Sequence, residues 1–201
     1  MKPAIKIENS VPSQTRPAYA VRWAGRLLAD HGAKKVAEYG CGRFRNFQVL
    51  NKHFEQIDLV ETTKQFKRFL TIAPRGNHVR FLDEAQFVQL DETYDEIFMI
   101  SILHTIPSKR KRSEILKVCR TKLKSEGHLV VDVPQSETYY NRRKGQAVEH
   151  NDGWLMRWGT TYTFYKSFYA AELDQFVIRR GFKKFHSVYR SKHIIRIYQK
   201  S

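Results

Sequence analysis

The strongest constraint on what this chain can fold into is a change of hydrophobic rhythm at Gly32. From Arg16 to His31, Ala20, Ala24, Leu27 and Leu28 recur at helical spacing, and Gly32 supplies a stop. Beyond it, short apolar runs alternate with longer amphipathic ones. Val36–Tyr39, Ile57–Val60, Val79–Leu82, Tyr94–Ser101 and His128–Val133 read as strands, and residues 45–54, 63–72 and 108–124 as helices between them. The link over 83–93 is too short and polar to predict a helix. Apolar strands that alternate with helices are buried on both faces, which is the pattern of a parallel sheet wrapped by crossover helices.

The last third breaks this alternation. Residues 135–168 show no clear period but hold Tyr139, Tyr140, Trp154, Trp158, Tyr162, Phe164, Tyr165 and Phe168. A helix is expected over 169–180, closed by Gly181, and then a hairpin of Phe182–Tyr189 and His193–Tyr198. At 201 residues and 41% hydrophobic content, one domain over 1–201 is expected. Residues 1–32 form its N-terminal helical segment and 135–168 an aromatic and basic insertion. No apolar run approaches the roughly 20 residues of a bilayer span. The first fifteen residues have no signal-peptide core, so a cytoplasmic protein without membrane insertion is expected. Cys41 and Cys119 are too few for a disulfide framework or a four-ligand zinc site, and no metal is expected.

The glycine motif carries the first chemical signal. Val36-Ala37-Glu38-Tyr39-Gly40-Cys41-Gly42-Arg43 runs a strand into a glycine turn and then a helix. Such glycines let the backbone take positive φ and let a ligand approach the main chain, while the helix start offers free N–H groups to an anion. Glu61 follows Gly40 by 21 positions, at the end of the next strand. A carboxylate at that interval suits the two hydroxyls of a nucleoside ribose; a helix-capping acid is the plainer reading.

Two further blocks complete the pattern: Tyr94-Asp95-Glu96-Ile97-Phe98-Met99-Ile100-Ser101-Ile102-Leu103-His104-Thr105-Ile106-Pro107, and Leu123-Lys124-Ser125-Glu126-Gly127-His128-Leu129-Val130-Val131. With E-Y-G-C-G and the acid of L-V-E, this ordered set resembles the class I S-adenosylmethionine-dependent methyltransferases. The resemblance implies a Rossmann-like α/β fold: a seven-stranded, mostly parallel sheet with a terminal antiparallel hairpin and helices on both faces. It implies S-adenosylmethionine as cofactor. Glu38, Gly40, Cys41 and Gly42 would form the loop that receives the methionine part, with Glu61 and Thr62 at the ribose. Asp83 or Glu84 would meet the adenine amino group, with Glu84 favoured. Ser101 and Leu103 would lie beside donor and acceptor. One departure stands out, because the position two after Gly42, often a third glycine, is Phe44. Its side chain would crowd the loop or force a different turn.

The acceptor is less constrained. His104, at the mouth of the fourth strand, is the candidate general base, with a packing histidine as the alternative; His150 is a weaker one. No Asp/Asn-Pro-Pro-Tyr tetrad follows the fourth strand and no Pro-Cys pair is present, which counts against ordinary DNA base methylation. The chain carries 36 Lys plus Arg against 20 Asp plus Glu, a net +16, which favours anionic partners, nucleic acid first. Residues 135–201 hold 13 of these cations against 5 acids, half of the net charge, and 14 of the 26 aromatics. Tyr139, Arg142, Arg143, Trp154, Arg157 and Trp158 are therefore the candidate acceptor contacts, by stacking and phosphate pairing or as a lid over a small heterocycle. Lys109-Arg110-Lys111-Arg112 reads as a solvated helix face. A nucleic-acid or nucleotide-like acceptor is expected first and a small-molecule O- or N-methyl acceptor second. A non-catalytic nucleic-acid-binding protein on the same fold is the reading from another class.

Overall fold

The computed structural model describes residues 16–135, 147–158, 161–190 and 192–201. Helix α1 (Tyr19–Asp30) precedes β1 (Lys35–Tyr39), α2 (Phe47–His53), β2 (Gln56–Glu61), α3 (Thr63–Phe69), β3 (Val79–Asp83), α4 (Glu84–Gln89), β4 (Tyr94–Ile100), α5 (Lys109–Lys122) and β5 (Leu123–Pro134). Then come β6 (Ala147–His150), β7 (Gly153–Trp158), β8 (Thr161–Tyr165), α6 (Ala170–Ile178), β9 (Phe182–Arg190) and β10 (His193–Lys200).

Seven strands form one sheet in the order β3-β2-β1-β4-β5-β10-β9. β1 to β5 run parallel, and β10 pairs antiparallel with both β5 and β9. The chain order reverses beside β1, so the carboxyl ends of β1 and β4 diverge there and open a crevice, as expected at the switch point of a doubly wound sheet.

Burial follows from strand pleat. Ala37, Tyr39, Ile97, Met99, Leu129, Val131 and Val133 face one side, packed by Phe87 of α4, Leu116 and Cys119 of α5, and Leu173 and Val177 of α6. Val36, Leu59, Phe98, Ile100 and Val130 face the other, packed by Ala20, Ala24 and Leu28 of α1 with Leu50 of α2. Three of the four positions that the spacing predicts for α1, Ala20, Ala24 and Leu28, are buried, Leu27 is half-buried, and Val21 and Gly25 complete the stripe.

Two stretches differ from the sequence reading. The link after β3 contains a helix, α4, nucleated by a capping box: the Asp83 side chain accepts from the Gln86 amide while the Gln86 side chain accepts from the Asp83 amide. The stretch read as aperiodic holds a separate antiparallel sheet, β6-β7-β8. Its Asp152 turn docks on α5, where Arg112 donates to the Asp152 carboxylate and to the Ile106 carbonyl. Arg112 is fully buried, so the basic run of α5 is not uniformly solvated. Among the described residues, no helix is long and apolar enough to cross a membrane.

Candidate functional site

The crevice at the carboxyl ends of β1, β2 and β4 is a cleft of about 270 Å³. It brings together Glu38, Gly40, Cys41, Gly42, Glu61, Thr62, Glu84 and Ser101, eight of the nine expected cofactor contacts. The ninth, Asp83, is the cap of α4, so the acid facing the cleft is the favoured Glu84.

Each wall has a local cause. Gly40 takes φ +81°, and a Cβ there would lie 2.2 Å from Ile102 Cδ1, so glycine is demanded by conformation and by space. The Gly40 and Cys41 amides both donate to the Val60 carbonyl, at 2.8 and 3.2 Å, stitching the loop to the end of β2. Gly42 has φ +56° and no atom within 4 Å of its would-be Cβ. Phe44 resolves the question of the missing glycine. It adopts φ 61°, taking up the turn itself, and points its ring into the core against Phe81 and Phe69 (centroids at 5.0 and 6.3 Å). It does not line the cleft.

The acids are held differently. Glu61 Oε1 accepts from the Gly42 amide (3.0 Å) and Oε2 from the Thr62 amide (2.9 Å). Glu61 does not cap α3, since Thr62 accepts from the Gln65 amide in that role. Burial raises the Glu61 carboxyl above its ordinary value, against those two amides. Glu38 is fully buried and pushed up to about 7 by desolvation. Its Oε1 accepts from Asn46 Nδ2, while its Oε2 has no protein partner. Asn46 Oδ1 in turn accepts from the Ala18 amide (2.8 Å), tying the loop to the segment before α1. Glu84 Oε1 accepts from the Tyr39 hydroxyl (2.5 Å), and its Oε2 lies 3.9 Å from Lys111 Nζ.

Sequence reasoning overlooked several lining residues. Tyr39 stood inside the quoted glycine motif, where its neighbours drew attention, and Asn46 lay three positions beyond the end of that motif. Lys111 was read as part of a solvated run. Thr105, Ile106 and Pro107 also line the cleft, beyond the expected Ser101.

The structure places His104 where the packing alternative puts it. It is buried outside the cleft, with its ring edge-on to Tyr165 (4.9 Å) and its carbonyl accepting from the Lys166 amide. Desolvation lowers it to about 3, leaving a neutral packing ring. Leu103 is likewise core. Trp154 packs beside Met156 and Tyr165 in the small sheet, and Arg157 sits opposite Tyr162 in the β7–β8 ladder; neither lines the cleft. Trp158 belongs to β7, but its side chain, like Tyr139, Arg142 and Arg143, lies outside the described residues.

No known family model matches the chain. Among curated proteins it is similar to the uncharacterized protein YmfD of Escherichia coli strain K12, 21% identical over 174 residues, which is 80% of this chain and 76% of that one. Solved structures are more informative. The CcbJ methyltransferase of Streptomyces caelestis superposes with a TM-score of 0.64 at 18% identity, over 94% of this chain and 93% of its own. A SAM-dependent methyltransferase of Methanosarcina mazei gives 0.68 at 16% identity, over 84% and 92%. The 1,6-didemethyltoxoflavin-N1-methyltransferase of Burkholderia thailandensis, solved with 1,6-didemethyltoxoflavin and S-adenosylhomocysteine bound, gives 0.65 at 18%, over 91% and 79%. The strand order, the glycine loop and these superpositions together give this chain the fold of the class I S-adenosylmethionine-dependent methyltransferases.

Proposed function

We propose that this chain is an S-adenosylmethionine-dependent methyltransferase acting on a small-molecule acceptor. The observation that carries the reading is the convergence of Glu38, the Gly40–Gly42 loop, Glu61 and Glu84 on one cleft. The donor set fits the cofactor. Each Glu61 oxygen accepts one amide and keeps a lone pair for a ribose hydroxyl. Glu84 Oε2, left free by Tyr39, would accept from the adenine amino group, and the unpartnered Glu38 Oε2 from the methionyl ammonium. The space over Gly42 admits a ligand against the backbone.

When bound, S-adenosylmethionine supplies a methyl group on a cationic sulfur for direct displacement. The chain has to align the acceptor and keep water out. Ile102, Ile106 and Pro107 line the cleft as an apolar wall, and Arg112 and Asn151 brace that segment by donating to the Ile106 and Pro107 carbonyls. That apolar wall, facing the charged donor side of the cleft, suits a compact organic acceptor. Structural neighbours named for didemethyltoxoflavin, magnesium protoporphyrin IX and an amino pentose support the same class.

The net +16, half of it after residue 134, favours a second reading in which the acceptor is a nucleic acid. Donor labelled in the transferable methyl, offered separately to a metabolite extract and to mixed RNA and DNA, tests both. Label in a small organic product supports the first reading. Label confined to polynucleotide supports the second, and no transfer to any pool counts against both.

A further inference from the structure

We propose that His193, oriented by Asp132, is the group that takes the acceptor's proton during methyl transfer. The inference rests on the methyltransferase reading above and supplies the base that His104 does not.

Placement comes first. β10 pairs antiparallel with β5, so its first residue, His193, stands at the carboxyl end of the parallel strands, the end that bears the cleft. Asp132 pairs with Ile100 in the β4–β5 ladder, and its carbonyl accepts the Ser101 amide at 2.8 Å. Ser101 and Ile100 both line the cleft. Neither side chain lines the cleft itself; the dyad stands beside its wall, joined to it by that one backbone hydrogen bond.

The pair is built as an oriented base. Asp132 is buried, with a side chain only 5% exposed, whereas the His193 side chain is 43% exposed. His193 Nδ1 lies 2.7 Å from Asp132 Oδ1. A carboxylate accepts and does not donate, so Nδ1 carries the hydrogen and Nε2 is the nitrogen available to a proton. In the step, the acceptor lone pair bonds to the methyl carbon, the carbon–sulfur bond breaks with its electrons going to sulfur, and the acceptor proton passes to Nε2.

The electrostatic surroundings are three groups on three elements. Asp132 on β5 raises the His193 pKa above its ordinary value, Arg45 in the loop before α2 lowers it, and His104 lies close enough to interact. The free chain therefore holds His193 protonated to higher pH than an isolated imidazole. A cationic sulfonium nearby would lower that pKa and release the base when the donor is present.

Proton titration of the imidazoles by NMR tests this without an acceptor. With 13C-labelled histidine, the resonance lost in His193→Gln assigns the residue among the eight histidines. Its pKa is then measured with S-adenosylhomocysteine and with S-adenosylmethionine, which differ by the methyl and one positive charge. The expected result is a value lower by about half a unit or more with the sulfonium. Equal values in two saturated complexes would overturn the proposal, because a group near the methyl must sense that charge. Failure of either ligand to bind removes the methyltransferase reading and the proposal with it. Asp132→Asn should lower the His193 pKa in the free chain; an unmoved titration would also overturn it.

Discussion

The Gly42 amide donates to Glu61 Oε1 at 3.0 Å, so this carboxylate and the glycine loop form one preassembled unit. β1 supplies the loop and β2 the acid, and their parallel register sets Tyr39 opposite Val60. The loop amides then fold over onto Val60 and Glu61. Pre-organisation of this kind reduces the ordering cost of binding.

The two glycines of that loop should respond differently to alanine. Gly40→Ala meets both a left-handed backbone and Ile102 Cδ1 at 2.2 Å. Gly42→Ala meets only the backbone strain, about 1–2 kcal/mol. Chemical denaturation should show the larger loss for Gly40→Ala, and Ile102→Ala should recover part of it in the double variant. Equal losses with no recovery would remove the steric account.

Phe44→Gly should separate packing from binding. The ring packs against Phe69 and Phe81 and does not line the cleft. Its loss should cost about 2–3 kcal/mol of stability, somewhat less than a typical Phe→Ala because the positive φ is relieved. Affinity for S-adenosylhomocysteine, measured by calorimetry, should stay within about twofold of the unaltered chain, since 1 kcal/mol is roughly fivefold. A larger drop would mean that Phe44 shapes the cofactor site.

Much of the sheet was legible because strands buried on both faces read as apolar runs, as β2, β4, the second half of β5 and the middle of β10 do. Helix α4 escaped notice because Phe87 is its one buried residue; its signal was the Asp83–Gln86 capping box. The small sheet was illegible because β6 has half-buried ends, two exposed central residues and no fully buried position. Arg112 could not be told from three flanking cations, since its burial depends on Asp152 some 40 residues away. Asp132 and His193 are 61 residues apart and meet only through the β5–β10 register. Local patterns were read well, whereas contacts made across the fold left no local trace.

The Arg112–Asp152 pair joins the small sheet to α5 and should be sensitive to one-sided removal. Arg112 is fully buried, so Asp152→Asn leaves a guanidinium without its carboxylate, at a cost of about 3 kcal/mol. Arg112→Met combined with Asp152→Asn should recover part of that. Arg112 holds the Asp152 carboxyl below its ordinary range against the opposing effect of burial. The stabilisation is therefore complete above the unfolded value of about 3.9 and lost as pH falls through the lower folded value. Denaturation midpoints at pH 7 and in acid check both statements; a loss that is unchanged in acid would contradict them.

Glu96 predicts a pH effect of the opposite sign. Desolvation pushes it up to about 7 despite its contact with His128 Nδ1 at 3.1 Å, and its Oε2 has no partner. The folded chain then binds this proton more tightly than the unfolded one, for which about 4.3 is ordinary, so stability declines as pH rises between the two. Glu96→Gln should match the unaltered chain near pH 4 and exceed it by about 3–4 kcal/mol at pH 8. A constant difference across that range would show that ionisation of Glu96 is not the cause.

Calorimetric titration with S-adenosylhomocysteine reaches the proposed function most directly. Saturable one-to-one binding is expected, weakened about tenfold or more in Glu61→Ala, which removes the carboxylate that the ribose hydroxyls would meet. Absence of binding to the unaltered, folded chain, or equal affinity in Glu61→Ala, would contradict the assignment of this cleft to the methyl donor.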